Sequence, residues 1–178
     1  MVIVSRLLDH GYGLTCGLNL TSQVRFPESL TMDQIPIDLR VYFPFFLGTI
    51  SNRWTATSSR IYLAKFGIGI GDWRVLASIQ SLGKASSIEV VDLISMDPGA
   101  VSRSVGKLRA AAMVRPVEGK FMGRTKPFEL TDEGRKLYAR VRRAALARED
   151  TLLGGLSATE RRTLLELMRK VHSRLDRL

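Results

Sequence analysis

The sequence predicts a mainly α-helical protein that carries one short β-hairpin. Apolar residues recur every three or four positions over most of residues 43–178, and two Ser-x-x-Glu boxes mark helix starts. Two short β-prone segments flank a loop rich in Gly and Lys. With 178 residues, of which 45% are hydrophobic and 25% charged, the chain has the size and composition of one globular domain.

Residues 1–37 form a separate segment by composition. They contain scattered Gly, Ser and Thr and show no sustained helical or strand period, so we predict a weakly structured N-terminal extension. Met32 precedes the first periodic segment, which makes it a second candidate start of translation. We expect residues 38–178 to form the folded domain.

The first two predicted helices are separated by glycines. Apolar positions from Phe43 to Ala64 follow one helical face, and Pro44 is tolerated in the first turn. The glycines at 67–71 end this helix; they follow a helix rather than a strand, which argues against a phosphate-binding loop. Asp72 can cap or charge the start of the second helix, and Gly83 ends it.

Two short helices follow in close succession. Ser86-x-x-Glu89 is a capping box, which predicts a helix from Ser87 to Ile94. Asp97 as N-cap and Pro98 as first helical residue open the next helix, which we expect to reach about Ala112. Its outer face is small and basic, and no acid occurs from Pro98 to Val117; the members of this face are Gly99, Ser102, Arg103, Gly106, Lys107 and Arg109.

The last part of the chain predicts a hairpin and two longer helices. Two short strands are predicted on either side of a basic tip, from Val114 to Glu118 and from Phe128 to Thr131. Thr131 then caps a helix that has acids in its first turn. The box Ser157-x-x-Glu160 starts a terminal helix with a continuous apolar stripe, made of Leu164, Leu167, Met168, Val171, Leu175 and Leu178.

This order of elements describes a winged helix-turn-helix at about 67–131, flanked by helices at about 38–66 and 132–178. The flanking stripes exceed what a small winged domain needs, so they are candidate dimerisation helices; an intramolecular helix pair is the alternative. The formal net charge is +10, and residues 100–150 carry 13 basic and 6 acidic side chains. That distribution favours a polyanionic partner, although solvated surface is the plain alternative for each basic residue.

Three motifs in order resemble the multiple antibiotic resistance regulator (MarR) family of bacterial transcription factors, over roughly residues 38–178. They are Gly67-Ile68 with Asp72-Trp73-Arg74-Val75-Leu76, the run from Asp97 to Val105, and Leu130-Thr131-Asp132-Glu133-Gly134. The resemblance implies a homodimer with intertwined first and last helices, the fourth helix in the major groove and the wing over the minor groove. It also implies a cytoplasmic regulator, commonly a repressor that a small aromatic carboxylate releases from a pseudo-palindromic operator.

The resemblance assigns candidate DNA contacts. Arg103 suits bidentate recognition of guanine, Ser102 a phosphate or base edge, and Arg124 a narrow minor groove. Met122 stands where the family usually has an Asp that braces the wing arginine. The full candidate set is Ser86, Ser87, Pro98, Gly99, Ala100, Ser102, Arg103, Lys107, Arg109, Lys120, Arg124 and Lys126.

Five aromatic residues could line an effector pocket, with Arg53 or Arg74 meeting an anion: Phe43, Phe46, Trp54, Tyr62 and Trp73. Aromatic residues at helical spacing are also common core residues, and that alternative stays open.

Several classes of protein are excluded or weakened by composition. One cysteine and two histidines exclude an internal disulfide and argue against metal chemistry, and we expect no cofactor, no membrane segment and no enzymatic activity. Cys16 has no nearby basic or thiol partner in sequence, which argues against redox sensing. The remaining alternative to DNA regulation is a winged-helix module for protein interaction or RNA binding.

Overall fold

The computed structural model describes residues 37–119 and 125–177. Within these residues it contains the helices and the two-stranded hairpin that the sequence predicts, in the predicted order. Six helices and two strands are present in this part of the chain: α1 (Phe43–Phe66), α2 (Ile70–Leu82), α3 (Ser87–Ile94), α4 (Pro98–Ala110), β1 (Val114–Pro116), β2 (Phe128–Leu130), α5 (Asp132–Leu152) and α6 (Ala158–His172). A short 3-10 turn follows at Leu175–Arg177.

The chain divides into two compact units, and the division falls between Phe46 and Leu47. In the described part of the first unit, Asp38 accepts hydrogen bonds from Nε and Nη2 of Arg40 at 2.9 and 2.7 Å. These contacts lower the pKa of Asp38 to about 2. All but one residue of the predicted N-terminal extension lies outside the described residues, so that extension stays a prediction.

The core of the second unit forms around α2. This helix packs against α3, α4, α5 and β2. The largest fully buried side chains include Tyr62, Leu76, Ile79 and Leu108. Burial of such side chains is worth roughly 1.5–3 kcal/mol each, so this cluster is what fixes α4 in place.

The start of α2 differs from the sequence expectation. The helix begins at Ile70, with Gly69 as N-cap and Asp72 as its third residue. Asp72 accepts the Gly69 N–H through Oδ2 at 3.1 Å, so its carboxylate satisfies a donor one turn earlier. The sequence predicts Asp72 either as the cap or as a charge in the first turn, and it has the second role; a glycine N-cap has no side-chain acceptor that would mark it in the sequence.

The hairpin is shorter than predicted and is joined by a third segment. β1 and β2 are antiparallel, and Arg115 opposite Glu129 forms an ion pair at 2.8 Å. Ala85, in the link between α2 and α3, forms a β-bridge to Phe128. The distance from Ala85 N to Phe128 O is 3.0 Å, and that from Phe128 N to Ala85 O is 2.8 Å. This bridge anchors the wing to the start of α3. It could not be predicted from the sequence, because a one-residue bridge has no alternating pattern of apolar residues.

A backbone joint connects the end of α4 to the start of α5. The Thr131 hydroxyl donates to Ala112 O at 2.7 Å and accepts the Gly134 N–H at 3.0 Å, while Thr131 N–H donates to Met113 O at 3.0 Å. An added Cβ on Gly134 would stand 1.9 Å from Met113 O. The Leu-Thr-x-x-Gly motif therefore holds two helices and the wing together at one point.

The last helix contacts α5 through the ion pair of Arg161 with Asp150 at 3.1 Å, but its apolar side is left open in the described chain. α6 buries none of its side chains, and Leu164, Leu167 and Val171 remain 42%, 53% and 38% exposed. The α-helix ends at His172, before Leu175 and Leu178, the last two residues of the predicted stripe. Leu178 lies outside the described residues. The alternative of an intramolecular helix pair would cover these apolar side chains. In the described chain they are not covered. None of the described helices is long and apolar enough to span a bilayer.

Candidate nucleic-acid interface

Helices α3 and α4 form a tight helix-turn-helix through local caps. The Ser86 hydroxyl accepts the Glu89 N–H at 3.3 Å, and Glu89 Oε2 accepts the Ser86 N–H at 2.7 Å. Ser95 ends α3 in the left-handed region, at φ 49°. Asp97 then starts α4 by accepting the Ala100 N–H at 2.8 Å. Each predicted capping residue is in its predicted role.

Helix α4 has one buried and one open face. The buried side consists of Val101, Ser104, Val105 and Leu108. The opposite side is exposed and consists of Gly99, Ser102, Arg103, Gly106, Lys107 and Arg109, as the sequence predicts. Within the described residues, none of its three basic side chains has a hydrogen bond or an ion pair with a protein group. The face therefore offers three cations and a low profile to a partner.

The outer face of α4 is low at Gly106, and packing among the described residues does not require a glycine there. Apart from the backbone of α4 itself, no atom of the described residues lies within 4 Å of the place where its Cβ would stand. Glycine in a helix interior costs about 1 kcal/mol relative to alanine, and packing inside the chain does not require it here. The missing side chain leaves room for the close approach of an external surface at this position.

Arg103 lies back over the first turn of its own helix. A Cβ on Gly99 would stand 3.2 Å from Arg103 Nη1 and 3.1 Å from Asp97 Oδ1. The guanidinium is thus in tight contact with the Cβ position of Gly99, and a side chain there would displace it by a few tenths of an ångström. It sits at the N-terminal end of α4, where a helix that enters a major groove presents its side chains to base edges.

Comparison with solved structures finds transcriptional regulators of similar fold. A MarR/EmrR family transcriptional regulator from Acinetobacter sp. ADP1 is 28% identical and superposes with a TM-score of 0.74, covering 80% of this chain and 100% of that one. A MarR family regulator from Silicibacter pomeroyi DSS is 20% identical with a TM-score of 0.68, covering 76% of this chain and 90% of that one. No family model and no curated protein matches the chain.

The chain is similar in fold and in sequence to MarR-family transcriptional regulators. Another similar structure, Bordetella bronchiseptica BpsR, concerns regulation of that protein's DNA binding by 6-hydroxynicotinic acid. It is 22% identical with a TM-score of 0.60, covering 71% of this chain and 98% of that one, and this likeness supports the fold alone.

The other candidate DNA contacts of this chain have different environments. Ser86 is buried and its hydroxyl is engaged in the α3 cap, so a role there is to position α3. Ser87 and Ala100 are half-buried, and Pro98 is exposed at the start of α4. These residues stay predictions as contacts.

Only part of the wing is described. Lys126 is exposed beside β2, and Arg115, which was not a candidate, is held by Glu129. Lys120 and Arg124, together with the unusual Met122, lie outside the described residues.

The five aromatic candidates for an effector pocket have different environments. Tyr62 is 1% exposed and contacts Trp73 edge-on, with ring centroids 6.3 Å apart, in the core between α1 and α2. Trp73 also stacks on Tyr138 at 5.4 Å. Phe43 and Phe46 are about half exposed at the start of α1, and Trp54 lines a surface groove.

Sequence reasoning missed Arg148, a polar residue on the inner face of α5. It follows Leu137, Val141 and Ala145 at helical steps, a position where an apolar residue is expected. An arginine within this apolar stripe was the feature of the sequence that could have identified it. Among the described residues there is no cluster of His, Cys, Asp and Glu that could hold a metal ion.

Proposed function

We propose that this chain is a MarR-type regulator, a cytoplasmic repressor that binds a pseudo-palindromic operator as a homodimer and leaves it when a small aromatic carboxylate binds. We assign it no enzymatic activity. The observation that carries the proposal is the outer face of α4, where exposed Arg103, Lys107 and Arg109 surround side-chain-free Gly106.

The chemistry of that face suits duplex DNA. Basic side chains without internal partners neutralise phosphates and release counterions, which gives affinity and salt dependence. An arginine at the N-terminal end of the helix can pair with O6 and N7 of guanine, which gives sequence preference. Ser102 and Gly99 beside it keep the helix surface low enough to enter the groove.

The homodimer is supported by the open apolar face of α6. A helix with a stripe of exposed Leu and Val residues is stable in water when that stripe packs against another surface. A two-fold dimer presents two copies of α4, which requires two half-sites about one helical turn of DNA apart.

Substitution of Arg103 tests the base-reading role. We expect Arg103→Ala to weaken binding to operator DNA by about 1–3 kcal/mol and binding to random duplex much less. Fluorescence anisotropy with both duplexes at one salt concentration measures the two losses. Equal losses on both duplexes would assign Arg103 to phosphates.

Gly106 provides a second variant of the same surface. Leucine is a good helix former, so Gly106→Leu should leave the fold intact while its side chain obstructs the groove and weakens operator binding about tenfold or more. Gly106→Ala is the matched control, with a smaller loss. Unchanged affinity of the Leu variant would place α4 outside the DNA groove and favour the alternative of a protein-interaction or RNA-binding module.

A further inference from the structure

A shallow pocket lies between α3 and the first residue of α4. We name it the Ile88 pocket. It has a volume of about 230 Å³, and it is lined by Ser87, Ile88, Val91 and Pro98. None of these side chains carries a charge, and three of them are wholly apolar. The pocket therefore offers an apolar surface at the end of α4 that is expected to meet the bases.

The apolar side chains of the Ile88 pocket are open to solvent. Ile88 is 53% exposed, Pro98 is exposed and Val91 is half-buried. Helix α3 uses Val90, rather than Ile88, for its contact with the core. Single apolar side chains are ordinary on a protein surface, whereas these three line one concavity. An apolar group from outside the chain gains free energy by entering it.

The Ile88 pocket borders the surface of α4 that is assigned to DNA. Pro98 is followed by Gly99, whose Cβ position stands 3.2 Å from Nη1 of Arg103. The guanidinium that is proposed to read guanine therefore lies beside the residue that follows the wall of the pocket. Successive base pairs of a duplex are only about 3.4 Å apart, so the two surfaces face the same stretch of the major groove.

Local caps hold the two sides of the pocket in place. At the start of α3, the Ser86 hydroxyl accepts the Glu89 N–H at 3.3 Å, and at the start of α4, Asp97 accepts the Ala100 N–H at 2.8 Å. Pro98 has a fixed φ and no N–H to donate. This end of α4 thus presents a positioned apolar ring where other residues would present a donor.

We propose that the Ile88 pocket receives the 5-methyl group of a thymine in the major groove, close to the guanine that Arg103 reads. The inference rests on the proposed function and adds a base that each half-site must contain. The 5-methyl group of thymine is the apolar group that a standard base pair presents in the major groove, and proteins recognise it by apolar contact. The half-site then contains a thymine within about two base pairs of the guanine, on either strand.

The chemistry of the pocket favours a base over the phosphate backbone. Phosphates are bound by basic side chains and by hydrogen-bond donors, and Ile88, Val91 and Pro98 supply neither. Ser87, at the edge of the pocket, has a hydroxyl that can donate to O4 of thymine, the acceptor next to the methyl group. The pocket therefore matches both groups that distinguish thymine from cytosine in the major groove.

Deoxyuridine substitution measures this contact, because it removes the 5-methyl group and preserves base pairing. The probe is a fluorescein-labelled duplex that the parent chain selects from a random library. Burial of one methyl group corresponds to about a fourfold change in affinity. We expect deoxyuridine to weaken binding by about this factor at one thymine of each half-site, near the guanine, and to have little effect at the other thymines.

Variants of the lining residues assign the deoxyuridine effect to the pocket. In Ile88→Ser and in Pro98→Ala, the thymine and deoxyuridine duplexes should bind almost equally, because the methyl group no longer meets the complete apolar wall. Leu93→Ser is the matched control, since Leu93 is on the same helix, is 52% exposed and does not line the pocket. It should keep the fourfold preference of the parent.

The ratio of the two affinities within one variant is independent of any general loss of DNA binding. Circular dichroism shows that each variant is folded. Ratios that fall in both pocket variants and not in Leu93→Ser support the thymine contact.

The other outcomes separate this inference from the proposed function. A parent chain that binds its selected duplex without a deoxyuridine effect near the guanine overturns the thymine contact and leaves the proposed function unaffected. The same holds when both pocket variants keep the fourfold preference, and parent affinity in these variants would favour a protein as the occupant of the pocket. A parent chain that selects no duplex overturns the repressor and the thymine contact together.

Discussion

At the scale of single residues, Gly134 shows how strictly one position is fixed. Its missing Cβ would stand 1.9 Å from the Met113 carbonyl oxygen, and that contact is with backbone, which cannot rotate away. We predict that Gly134→Ala lowers the free energy of unfolding by about 2–3 kcal/mol, since the joint between α4 and α5 must open to admit a methyl group. Urea denaturation followed by circular dichroism measures this loss.

Gly155 provides the control for that substitution. No atom lies within 4 Å of its Cβ position, so Gly155→Ala should change the free energy of unfolding by less than about 1 kcal/mol. Similar losses for the two variants would show that the joint adapts to a side chain, and that Gly134 is there for another reason.

At the scale of elements, the two Ser-x-x-Glu boxes make helix stability depend on pH. Hydrogen bonds from Ser86 lower the pKa of Glu89 below its ordinary value of 4.5, and Ser157 lowers that of Glu160 in the same way. A carboxylate with a depressed pKa in the folded state stabilises the fold above its unfolded pKa, and this contribution is lost as the pH falls through the folded pKa.

We therefore predict that acidification from pH 7 to about pH 3 weakens the start of α3, and that Glu89→Gln reduces this pH dependence because an amide oxygen accepts the same hydrogen bonds without titrating. Urea midpoints at both pH values measure the difference. Asp92→Asn, which removes an exposed carboxylate of the same helix outside the box, should keep the parent's pH dependence. Loss of pH dependence in the Asn variant instead would assign the effect to general charge.

The elements were predictable to the extent that their signals are local. Asp97, Thr131 and Ser157 are found as caps because a cap depends on residues three positions away, and the start of α2 was misplaced because Gly69 has no side chain to signal its role. The basic face of α4 was predictable from spacing alone. The contact of Arg148 with Trp54 was not, because these residues meet only where α1 packs on α5.

At the scale of the whole molecule, the open stripe of α6 is the basis of the proposed dimer. We predict that Leu167→Glu converts a dimer to a monomer, because a charge at the centre of an apolar interface is strongly unfavourable. Light scattering after size exclusion measures the mass. Helix content should survive in the variant, since α6 buries none of its side chains within the chain, and Leu82→Glu at an exposed site on α2 is the matched control.

The same variant connects assembly to DNA recognition. A monomer carries one α4 and loses the advantage of joined half-sites, so Leu167→Glu should bind a full operator about as weakly as a single half-site. The parent should instead lose affinity when the half-sites are moved half a helical turn apart, because the two copies of α4 then face opposite sides of the duplex. A parent chain that tolerates this change would bind through independent subunits, and the apolar face of α6 would then serve some other contact.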